Sequence, residues 1–274
     1  MIKVSSAGFT DVGKIRENNE DNFYVNGKYK KDNSVISGMF DECEDNSDRE
    51  QYLYAVCDGI GGEKFGEVAS LIAVKTLVKY QSENIKNVVN DYISDANRRI
   101  CDEIEKNKGV IIGTTLALLY IKEDKAIAYN VGDSRVYLFR KNKLIQLSED
   151  HTQAQRLFKM GMIKQNEIRT HKDKNKLTQH LGIFPNEVAI EAHSSDEIIL
   201  KKDDIFILCS DGLTDMVTDK KISKILSDKK LSAYSIASKL SQTAIDNGGK
   251  DNVTVVAVKI GKSTSLFSGL FPKK

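Results

Sequence analysis

Aspartate residues recur in this sequence where apolar, strand-like runs begin or end. Asp58, Asp133 and Asp211 each close such a run, and Asp251 stands just ahead of another, residues 253–258. Strand ends that are far apart along a chain can converge in space, so we expect these carboxylates to share one cleft. Clustered carboxylates repel one another unless a cation neutralises them, and Mg²⁺, Mn²⁺ and Ca²⁺ prefer oxygen ligands. The pattern therefore predicts a divalent metal site.

A second group of charged residues lies near the N-terminus, where residues 11–22 read Asp-Val-Gly-Lys-Ile-Arg-Glu-Asn-Asn-Glu-Asp-Asn. The guanidinium of Arg16 is a planar fork that suits a phosphate or a carboxylate. Glu20 and Asp21 add carboxylates that could face the same cleft. Taken alone, an arginine beside acids is typical of a surface ion pair, and an Asp-Gly pair is typical of a turn.

The elements that must position these residues follow from apolar periodicity. Broad apolar faces predict helices from about 66 to 80 and from about 85 to 106. Continuous or alternating apolar runs predict strands over 52–57, 115–121, 125–131, 135–140, 143–147, 204–209 and up to 260. Further helices are predicted around 220–226 and 232–245, and the polar segment 151–176 turns helical. Short connections between successive strands are typical of antiparallel hairpins, so the order favours an α+β fold. The acid-rich segment 28–50 is predicted to be a solvated loop.

Composition narrows the function class. Lys and Arg number 41 against 39 Asp and Glu, a net charge of +2, which is too balanced to indicate binding to nucleic acid or a membrane. The four cysteines form no C-x-x-C pair and indicate no disulfide framework. No apolar run is long enough to predict a membrane span, and the N-terminus lacks a signal-peptide apolar region. We therefore predict a soluble, cytoplasmic protein.

Short motifs occur in a fixed order along the chain: Asp-Val-Gly-x-x-Arg-x-x-Asn-Glu-Asp, Asp-Gly-x-Gly-Gly, Gly-Thr-Thr-Leu, Val-Gly-Asp-Ser-Arg, Cys-Ser-Asp-Gly-Leu and Lys-Asp-Asn-Val-Thr. Each motif is weak alone, but together they strongly resemble the metal-dependent protein phosphatases of type 2C in their compact bacterial form. The likeness runs from about residue 8 to residue 258. It implies a four-layer αββα sandwich of two antiparallel β-sheets flanked by helices. It also implies a single phosphatase domain over 1–260, with a flap at about 151–176, and a short C-terminal tail over 261–274.

The resemblance also implies roles for the metal-site residues. Asp58 would bridge two Mn²⁺ or Mg²⁺ ions, and the carbonyl of Gly59 would add a ligand. Asp211 and Asp251 would complete the protein ligation of one ion, and Glu20 would act on the other largely through water. Asp133 matches the acid that, with Asp211, holds a third, weaker metal ion in bacterial relatives.

Further residues are implied around these ligands. Arg16 would bind the phosphate, while Asp21 and Asn252 would lie behind the ligands, with Asp21 as a hydrogen-bond acceptor. The glycines at 59, 61 and 62 would let the backbone approach the ions closely. His151 belongs to an Asp-His motif whose expected role is structural.

The implied reaction is hydrolysis of phosphoserine and phosphothreonine in proteins by direct attack of a metal-bridging hydroxide. Expected partners are phosphorylated proteins, including a Ser/Thr kinase, and the protein is expected to be a monomer. Many eukaryotic relatives have a histidine after the first Asp-Gly pair, where this chain has Ile60. A metal-bound water or another acid must then protonate the leaving oxygen. Loss of a general acid typically lowers the rate about 10²–10⁴-fold, which bears on efficiency more than on reaction type.

Three other functions compete with this interpretation. A nucleotide-binding enzyme would need a glycine at Lys64 or a following Gly-Lys-Ser/Thr, and neither occurs. A catalytically silent phosphoprotein-binding module of the same fold is expected to lack a metal aspartate, yet every one is present. A two-metal phosphodiesterase acting on nucleic acid is disfavoured because the sequence shows no basic cluster.

Overall fold

The computed structural model describes residues 2–31, 40–46, 48–61, 65–108 and 110–261. Within these ranges two antiparallel sheets pack face to face, and helices cover both outer faces. This arrangement confirms the α+β class and the four-layer αββα sandwich.

The bounds of the described elements are as follows. The strands in chain order are β1 (Lys3–Asp11), β2 (Asn22–Val25), β3 (Lys28–Tyr29), β4 (Phe40–Asp45), β5 (Gln51–Cys57), β6 (Gly59–Gly61), β7 (Ile112–Thr114), β8 (Leu116–Lys122), β9 (Lys125–Val131), β10 (Arg135–Arg140), β11 (Lys143–Gln146), β12 (His193–Ser194), β13 (Ile198–Ile199), β14 (Ile205–Cys209) and β15 (Val253–Gly261). The helices are α1 (Gly66–Tyr80), α2 (Ile85–Lys106), α3 (Gln153–Lys159), α4 (Asp211–Met216), α5 (Asp219–Leu226) and α6 (Ala233–Asp246), with a 3₁₀ helix over Gln165–Thr170.

The two large sheets are formed by different sets of strands. The first sheet has the order β11-β10-β14-β15-β1-β4, and the second has the order β12-β9-β8-β5-β2-β3, with β13 also on β9. In the first sheet Phe9 lies opposite Val255, and in the second Val56 lies opposite Ala117. Strands β6 and β7 form a separate small ribbon. The connection from β9 to β10 therefore crosses from the second sheet to the first.

The central strands of both large sheets are buried on both faces, which explains why they read as continuous apolar runs. Along β14, Phe206 and Leu208 point into the core between the sheets, whereas Ile205 and Ile207 point to the helices α4 to α6. This alternation is the two-residue period of a strand. Helices α1 and α2 cover the second sheet in the same way, and Tyr92 of α2 is fully buried there.

The predicted helices 66–80 and 85–106 and the predicted strands 125–131 and 135–140 are confirmed. The prediction of a solvated loop over 28–50 is wrong over 40–45, where β4 adds to the first sheet and pairs with β1; residues 32–39 lie outside the described residues. That pairing gives an acidic, weakly periodic segment the backbone partners that its sequence pattern does not reveal. Among the described residues, no helix is long and apolar enough to cross a membrane. The predicted tail lies outside the described residues from residue 262 onward, and so does Gly62.

Candidate active site

The predicted metal carboxylates lie at one end of the sandwich, on elements of both large sheets. Asp58 follows β5 of the second sheet, whereas Asp211 begins α4 directly after β14 and Ser210. Asp251 stands just before β15, the neighbour of β14 in the first sheet. Asp133 lies in the connection that crosses from one sheet to the other. The four residues therefore reach one cleft from four separate segments.

These carboxylates act on one another electrostatically. Burial, and then the charges of Asp21, Asp211, Asp133 and Asp251, raise the pKa of Asp58 well above its ordinary value. The pKa of Asp211 is raised in the same way, by burial and then by Asp133 and Asp251. Carboxylates that share a site without a cation resist ionising together. The cleft is therefore an environment that favours a multivalent cation.

Asp133 and its turn are held from behind. Burial, followed by the charge of Asp150, raises the pKa of Asp133 to about 7, while Arg135 opposes the shift. The backbone N–H of Gly132 donates to Nδ1 of His151 over 3.2 Å, and the N–H of His151 donates to the carbonyl of Gly132 over 3.0 Å. His151 thus fixes the turn that carries Asp133, in agreement with its predicted structural role.

Steric contact explains why glycine follows Asp211 in the second Asp-Gly pair. A Cβ atom at Gly212 would lie 1.9 Å from the carbonyl oxygen of Asn252, which no side chain could tolerate. The absence of that Cβ lets α4 begin directly against the segment that carries Asp251. Glycine at this position therefore brings Asp211 and Asp251 side by side.

The Gly-Thr-Thr-Leu motif holds the backbone of Asp58. The carbonyl of Asp58 accepts hydrogen bonds from Oγ1 of Thr114 and from the N–H of Thr115, both over 2.9 Å. The N–H of Asp58 donates to Oγ1 of Thr115 over 3.0 Å, and that hydroxyl also pairs with Oγ of Ser134 over 2.7 Å. Thr115 therefore links Asp58 to the turn of Asp133, and Thr114 adds a hydrogen bond to the Asp58 carbonyl. Sequence reasoning recognised the motif but missed this role.

Asp21 and Asn252 lie behind the cleft and join its walls. Oδ2 of buried Asp21 accepts hydrogen bonds from Oγ of Ser210 and Oγ1 of Thr254, each over 2.7 Å. Burial raises the pKa of Asp21 to about 6 despite these two bonds, which lower it. Asp21 thus ties the end of β14 to the start of β15.

Asn252 organises the N-terminal loop of the cleft. Its Nδ2 donates to the carbonyls of Val12 and Asn18, each over 2.9 Å, and its Oδ1 accepts the N–H of Glu20 over 2.8 Å. A single side chain therefore grips both ends of the loop that carries Arg16.

Arg16 contacts a predicted metal ligand. Its Nη2 lies 2.7 Å from Oδ2 of Asp251, with the arginine side chain 49% and the aspartate side chain 38% exposed. Burial lowers the pKa of Arg16, but the charges of Asp251 and Glu20 more than compensate and raise it. The loop can approach this closely because Gly13 has a φ of +79° and its missing Cβ would meet the Asp251 carbonyl at 2.3 Å.

Glu20 points to the start of α1. Its Oε1 accepts the N–H of Gly66, the first residue of that helix, over 3.3 Å. Burial, and then the charge of Glu67, raise the pKa of Glu20 to about 7. Gly59 lies against the same backbone, because its Cβ would meet the carbonyl of Glu20 at 2.4 Å. Glu20 and Gly59 are therefore neighbours.

The donor set fits a hard divalent cation. It consists of carboxylate oxygens and a backbone carbonyl, which suit Mg²⁺ or Mn²⁺ rather than zinc. As the described side chains stand, no three Asp, Glu, His or Cys groups converge closely enough to hold an ion. Asp251 is engaged by Arg16 and Glu20 by the N–H of Gly66. An ion bound through Oδ2 of Asp251 would therefore compete with Arg16 for that oxygen.

The predicted flap is anchored beside the cleft. It contains α3, whose N-cap Thr152 accepts the N–H of Gln155, and the 3₁₀ helix. Nη2 of Arg169 donates to the carbonyl of Thr214 over 2.8 Å, and Nζ of Lys174 lies 2.6 Å from both carboxylate oxygens of Asp215. A cavity of about 510 Å³ lies between this segment and the cleft, and Asp133 and Asp211 border it.

Known proteins resemble this chain over most of its length. The family profile of Protein phosphatase 2C matches residues 9–157 and 164–253. The chain is 33% identical over 259 residues to the serine/threonine phosphatase stp of Listeria welshimeri, covering 91% of this chain and 93% of that protein.

Solved structures agree with the sequence comparison. The serine/threonine phosphatase of S. agalactiae superposes with a TM-score of 0.78 at 27% identity, covering 93% of this chain and 99% of the other. The catalytic domain of PstP in complex with two manganese ions superposes with a TM-score of 0.75 at 26% identity, covering 96% of this chain and 100% of the other.

Proposed function

The chain belongs to the protein phosphatase 2C family and is a metal-dependent serine/threonine protein phosphatase, and we propose that the carboxylate cleft is its active site. One observation carries this proposal: Asp58 and Asp211, from different sheets, reach one cleft, where burial and then the charges of Asp133 and Asp251 act on both and raise the pKa of each. Divalent ions would relieve the repulsion between these carboxylates by supplying positive charge.

We assign the ligands as follows. Asp58 would help to hold both Mn²⁺ or Mg²⁺ ions, and the Gly59 carbonyl would add a ligand. Asp211 and Asp251 would complete the ligation of one of the ions. Glu20 would act on the other ion largely through water. Asp133, with Asp211, would hold a third, weaker ion. The support is the position of these groups around one cleft and the relative whose structure holds two manganese ions.

The chain's own residues supply the rest of the chemistry. When bound, the ions would lower the pKa of a water and neutralise charge on the phosphoryl group. Arg16 would turn from Asp251 to the phosphoryl oxygens, where its planar fork stabilises charge that develops in the transition state. Asp21 and Asn252 would keep the ligands and the Arg16 loop in place through the hydrogen bonds described above.

Ile60 offers no proton to the leaving seryl or threonyl oxygen. It lies in β6, opposite Gly113 of β7. We therefore propose that water in the cleft protonates the leaving group. The proposed substrates are phosphorylated proteins, including a Ser/Thr kinase, and the proposed active form is the monomer; a cytoplasmic location stays a prediction.

Phosphate release from a phosphothreonine peptide tests the assignment. We expect turnover with Mn²⁺, none with excess EDTA, and a loss of at least about 10²-fold in Asp58→Asn and Asp211→Asn. Asp102→Asn, an exposed change on α2, is the control and should leave turnover unchanged. Turnover that ignores both cleft substitutions would refute the active site. Peptide binding without turnover in the unmodified protein would instead favour the silent phosphoprotein-binding module.

A further inference from the structure

A groove of about 500 Å³ lies at the opposite end of the first sheet from the carboxylate cleft. In β10, Arg135 stands at the cleft end, whereas Phe139 stands at the groove end and pairs with Ile205 of β14. Ile205 precedes Asp211 by six positions, so at about 3.3 Å per residue the two sites are up to about 20 Å apart. The groove is therefore distinct from the candidate active site.

The lining of this groove is basic. Its cationic side chains are Arg140, Lys141, Lys201, Lys202, Lys229 and Lys259. Two acids also border it, and cations engage both of them. Nε and Nη2 of Arg140 donate to the two carboxylate oxygens of buried Asp204 over 2.7 and 2.6 Å. Nζ of Lys202 lies 3.9 Å from Oδ2 of Asp203. The acids therefore leave an excess of positive charge in this basic groove.

Four of the lysines supply that excess. The ion pairs of the basic groove are the two just described. Within the part of the chain that the structure describes, no carboxylate forms an ion pair with Lys141, Lys201, Lys229 or Lys259. Positive charges that share one groove repel one another, and an anionic ligand relieves that repulsion. The charge of the lining therefore complements a ligand with several negative groups.

Two tight turns hold part of this lining. Lys141 and Asn142 have φ values of +51° and +62° and form the two-residue loop of the β10–β11 hairpin. In the turn before β14, the N–H of Asp204 donates to the carbonyl of Lys201 over 3.1 Å. The N–H of Lys201 in turn donates to Oδ2 of Asp204 over 2.7 Å. The backbone that carries these lysines is therefore fixed before any ligand arrives.

Lys259 holds a third segment of the lining. Its Nζ donates to the carbonyls of Lys229 and Leu231 over 3.2 and 2.7 Å, which fixes the loop after α5 against β15. These carbonyls orient the ammonium group of Lys259 but do not neutralise its charge. A lining that is already ordered loses less conformational freedom on binding than mobile surface lysines would.

We propose that the basic groove binds an acidic segment of the phosphoprotein substrate, away from the phosphorylated residue. This inference rests on the proposed function, because it assigns a second contact to the same substrates. The volume of the groove lies within the range of pockets for small ligands, about 300–1,000 Å³, so it admits a few side chains. The carboxylates of aspartate and glutamate side chains are the anions that a polypeptide substrate offers.

Two other large anions fit this groove less well. A bilayer surface is flat, so it would meet the rim of the groove but not its concave lining. Nucleic acid presents a long, continuous line of phosphates, which requires a basic surface longer than one groove. The net charge of +2 over the whole chain does not indicate such a surface.

An acidic segment in the groove would raise the local concentration of the phosphorylated residue at the cleft. A substrate that occupies both sites is bound bivalently, provided that the chain between its two segments can span them. A separation of about 20 Å takes at least about six extended residues. The groove therefore selects substrates by the distance between an acidic segment and the phosphorylated residue.

Binding of an acidic peptide without a phosphorylated residue tests the groove by itself. The probe is a fluorescein-labelled peptide with a run of glutamates, measured by fluorescence anisotropy with the full chain in EDTA. We expect binding that weakens as salt rises. The groove pair, Lys201→Glu with Lys229→Glu, should weaken it at least about 10-fold, because two exposed ion pairs, each worth up to about fivefold, give way to repulsion.

The matched control pair is Lys75→Glu with Lys106→Glu. It makes the same charge change at a different cavity, which lies between α1 and α2. The control pair should bind the acidic peptide nearly as the unmodified protein does.

Turnover of phosphothreonine peptides with Mn²⁺ tests whether the groove serves the cleft. The run of glutamates is joined to the phosphothreonine segment by a Gly-Ser linker of about 16 residues, whose r.m.s. span is about 20–24 Å. Compared with the same peptide carrying glutamines, its KM should be at least about fivefold lower in the unmodified protein but not in the groove pair. A linker of about two residues spans at most about 7 Å, so it should remove the advantage.

The glutamine peptide separates this inference from the proposed function. Its turnover should be equal in the unmodified protein and the groove pair, which shows that the variant is folded. No turnover of any peptide would refute the proposed function, while the anisotropy measurement would still decide whether the groove binds an acidic segment.

Equal loss of anisotropy binding in the groove pair and the control pair would overturn the proposal. A KM that does not depend on the glutamates would do the same. So would DNA, or vesicles that contain phosphatidylglycerol, bound through the groove lysines with no binding of the acidic peptide.

Discussion

Nη2 of Arg16 lies 2.7 Å from Oδ2 of Asp251, although 235 positions separate the two residues in the chain. One partner is the proposed phosphate-binding group and the other is a proposed metal ligand. In the proposed catalytic arrangement each must leave the other, because the arginine takes the phosphoryl group and the aspartate takes the cation. The ion pair is therefore a competitor of both metal and substrate binding.

Arg16→Ala should consequently change metal affinity and catalysis in opposite directions. Loss of the guanidinium frees Asp251, so Mn²⁺ affinity should rise by up to about fivefold, the most that a half-exposed ion pair is worth. The same change removes transition-state stabilisation, so kcat/KM should fall by about 10²–10³-fold. Titration of Mn²⁺ by calorimetry and steady-state kinetics measure the two effects.

Arg98→Ala is the control for this pair of measurements, because Arg98 pairs with Asp95 and Asp102 on the exposed face of α2. It should alter neither quantity. Weaker Mn²⁺ binding in Arg16→Ala would contradict the competition between Arg16 and the metal.

The cleft predicts an unusual pH dependence for the chelated protein. The pKa of Glu20 and that of Asp133 are each raised to about 7 in the folded state, mainly by burial. The folded state therefore holds protons that the unfolded chain has already lost, and stability falls as pH rises from about 4 to about 7. In EDTA, the melting temperature should be higher at pH 5 than at pH 8.

Mn²⁺ should reverse this trend, because carboxylates bind the ion only when they are deprotonated. An ion that binds only the folded state at 100 times its Kd adds about 2.7 kcal/mol. The comparison is made by thermal unfolding at both pH values, with and without the metal. A chelated protein that is more stable at pH 8 would show that burial in the fold does not raise the pKa of Glu20 and Asp133.

The sequence revealed the carboxylates but not how they are supported. Asp58 and Asp211 could be recognised because an apolar run ending at an aspartate is a local pattern. The hydrogen bond between Thr115 and Ser134 could not be recognised in this way, because it depends on where the start of β8 meets the connection from β9 to β10. The Arg16–Asp251 pair likewise depends on the approach of a loop at Gly13.

The errors have the same origin. Strand β4 was predicted to be a loop because its sequence is acidic, and only the edge of β1 gives its backbone a partner. The support of Asp58 by Thr114 and Thr115 was missed for the same reason, because these contacts join distant segments. Local patterns predicted most helices and strands, whereas contacts between distant segments had to be seen.

Thr115→Val tests whether the hydroxyl of Thr115, which contacts Asp58, affects metal affinity. Valine keeps the shape but removes the hydroxyl that accepts the N–H of Asp58 and pairs with Ser134. Groups that orient metal ligands are typically worth about 10–100-fold in affinity, so Mn²⁺ should bind more weakly by that factor. Thr115→Ser retains the hydroxyl and should restore most of the affinity. Equal affinities in the two variants would mean that the hydroxyl does not position Asp58.

Alanine substitutions at two glycines distinguish the effect of a steric clash from the effect of backbone strain. Gly212→Ala would drive a methyl group into the Asn252 carbonyl, 1.9 Å from the ideal Cβ, and should displace α4 from the segment of Asp251. Misplacement of catalytic groups by about 1 Å can lower the rate about 10²-fold, so turnover of a small aryl phosphate should fall at least that far.

Gly161→Ala is the matched change. Gly161 has a φ of +71°, but no atom lies within 4 Å of its ideal Cβ. Its free energy of unfolding, measured in urea, should fall by about 1–2 kcal/mol, the cost of a left-handed residue other than glycine. Its turnover should be retained. If both variants kept full turnover, the close contact of Gly212 with Asn252 would not be what brings Asp211 and Asp251 together.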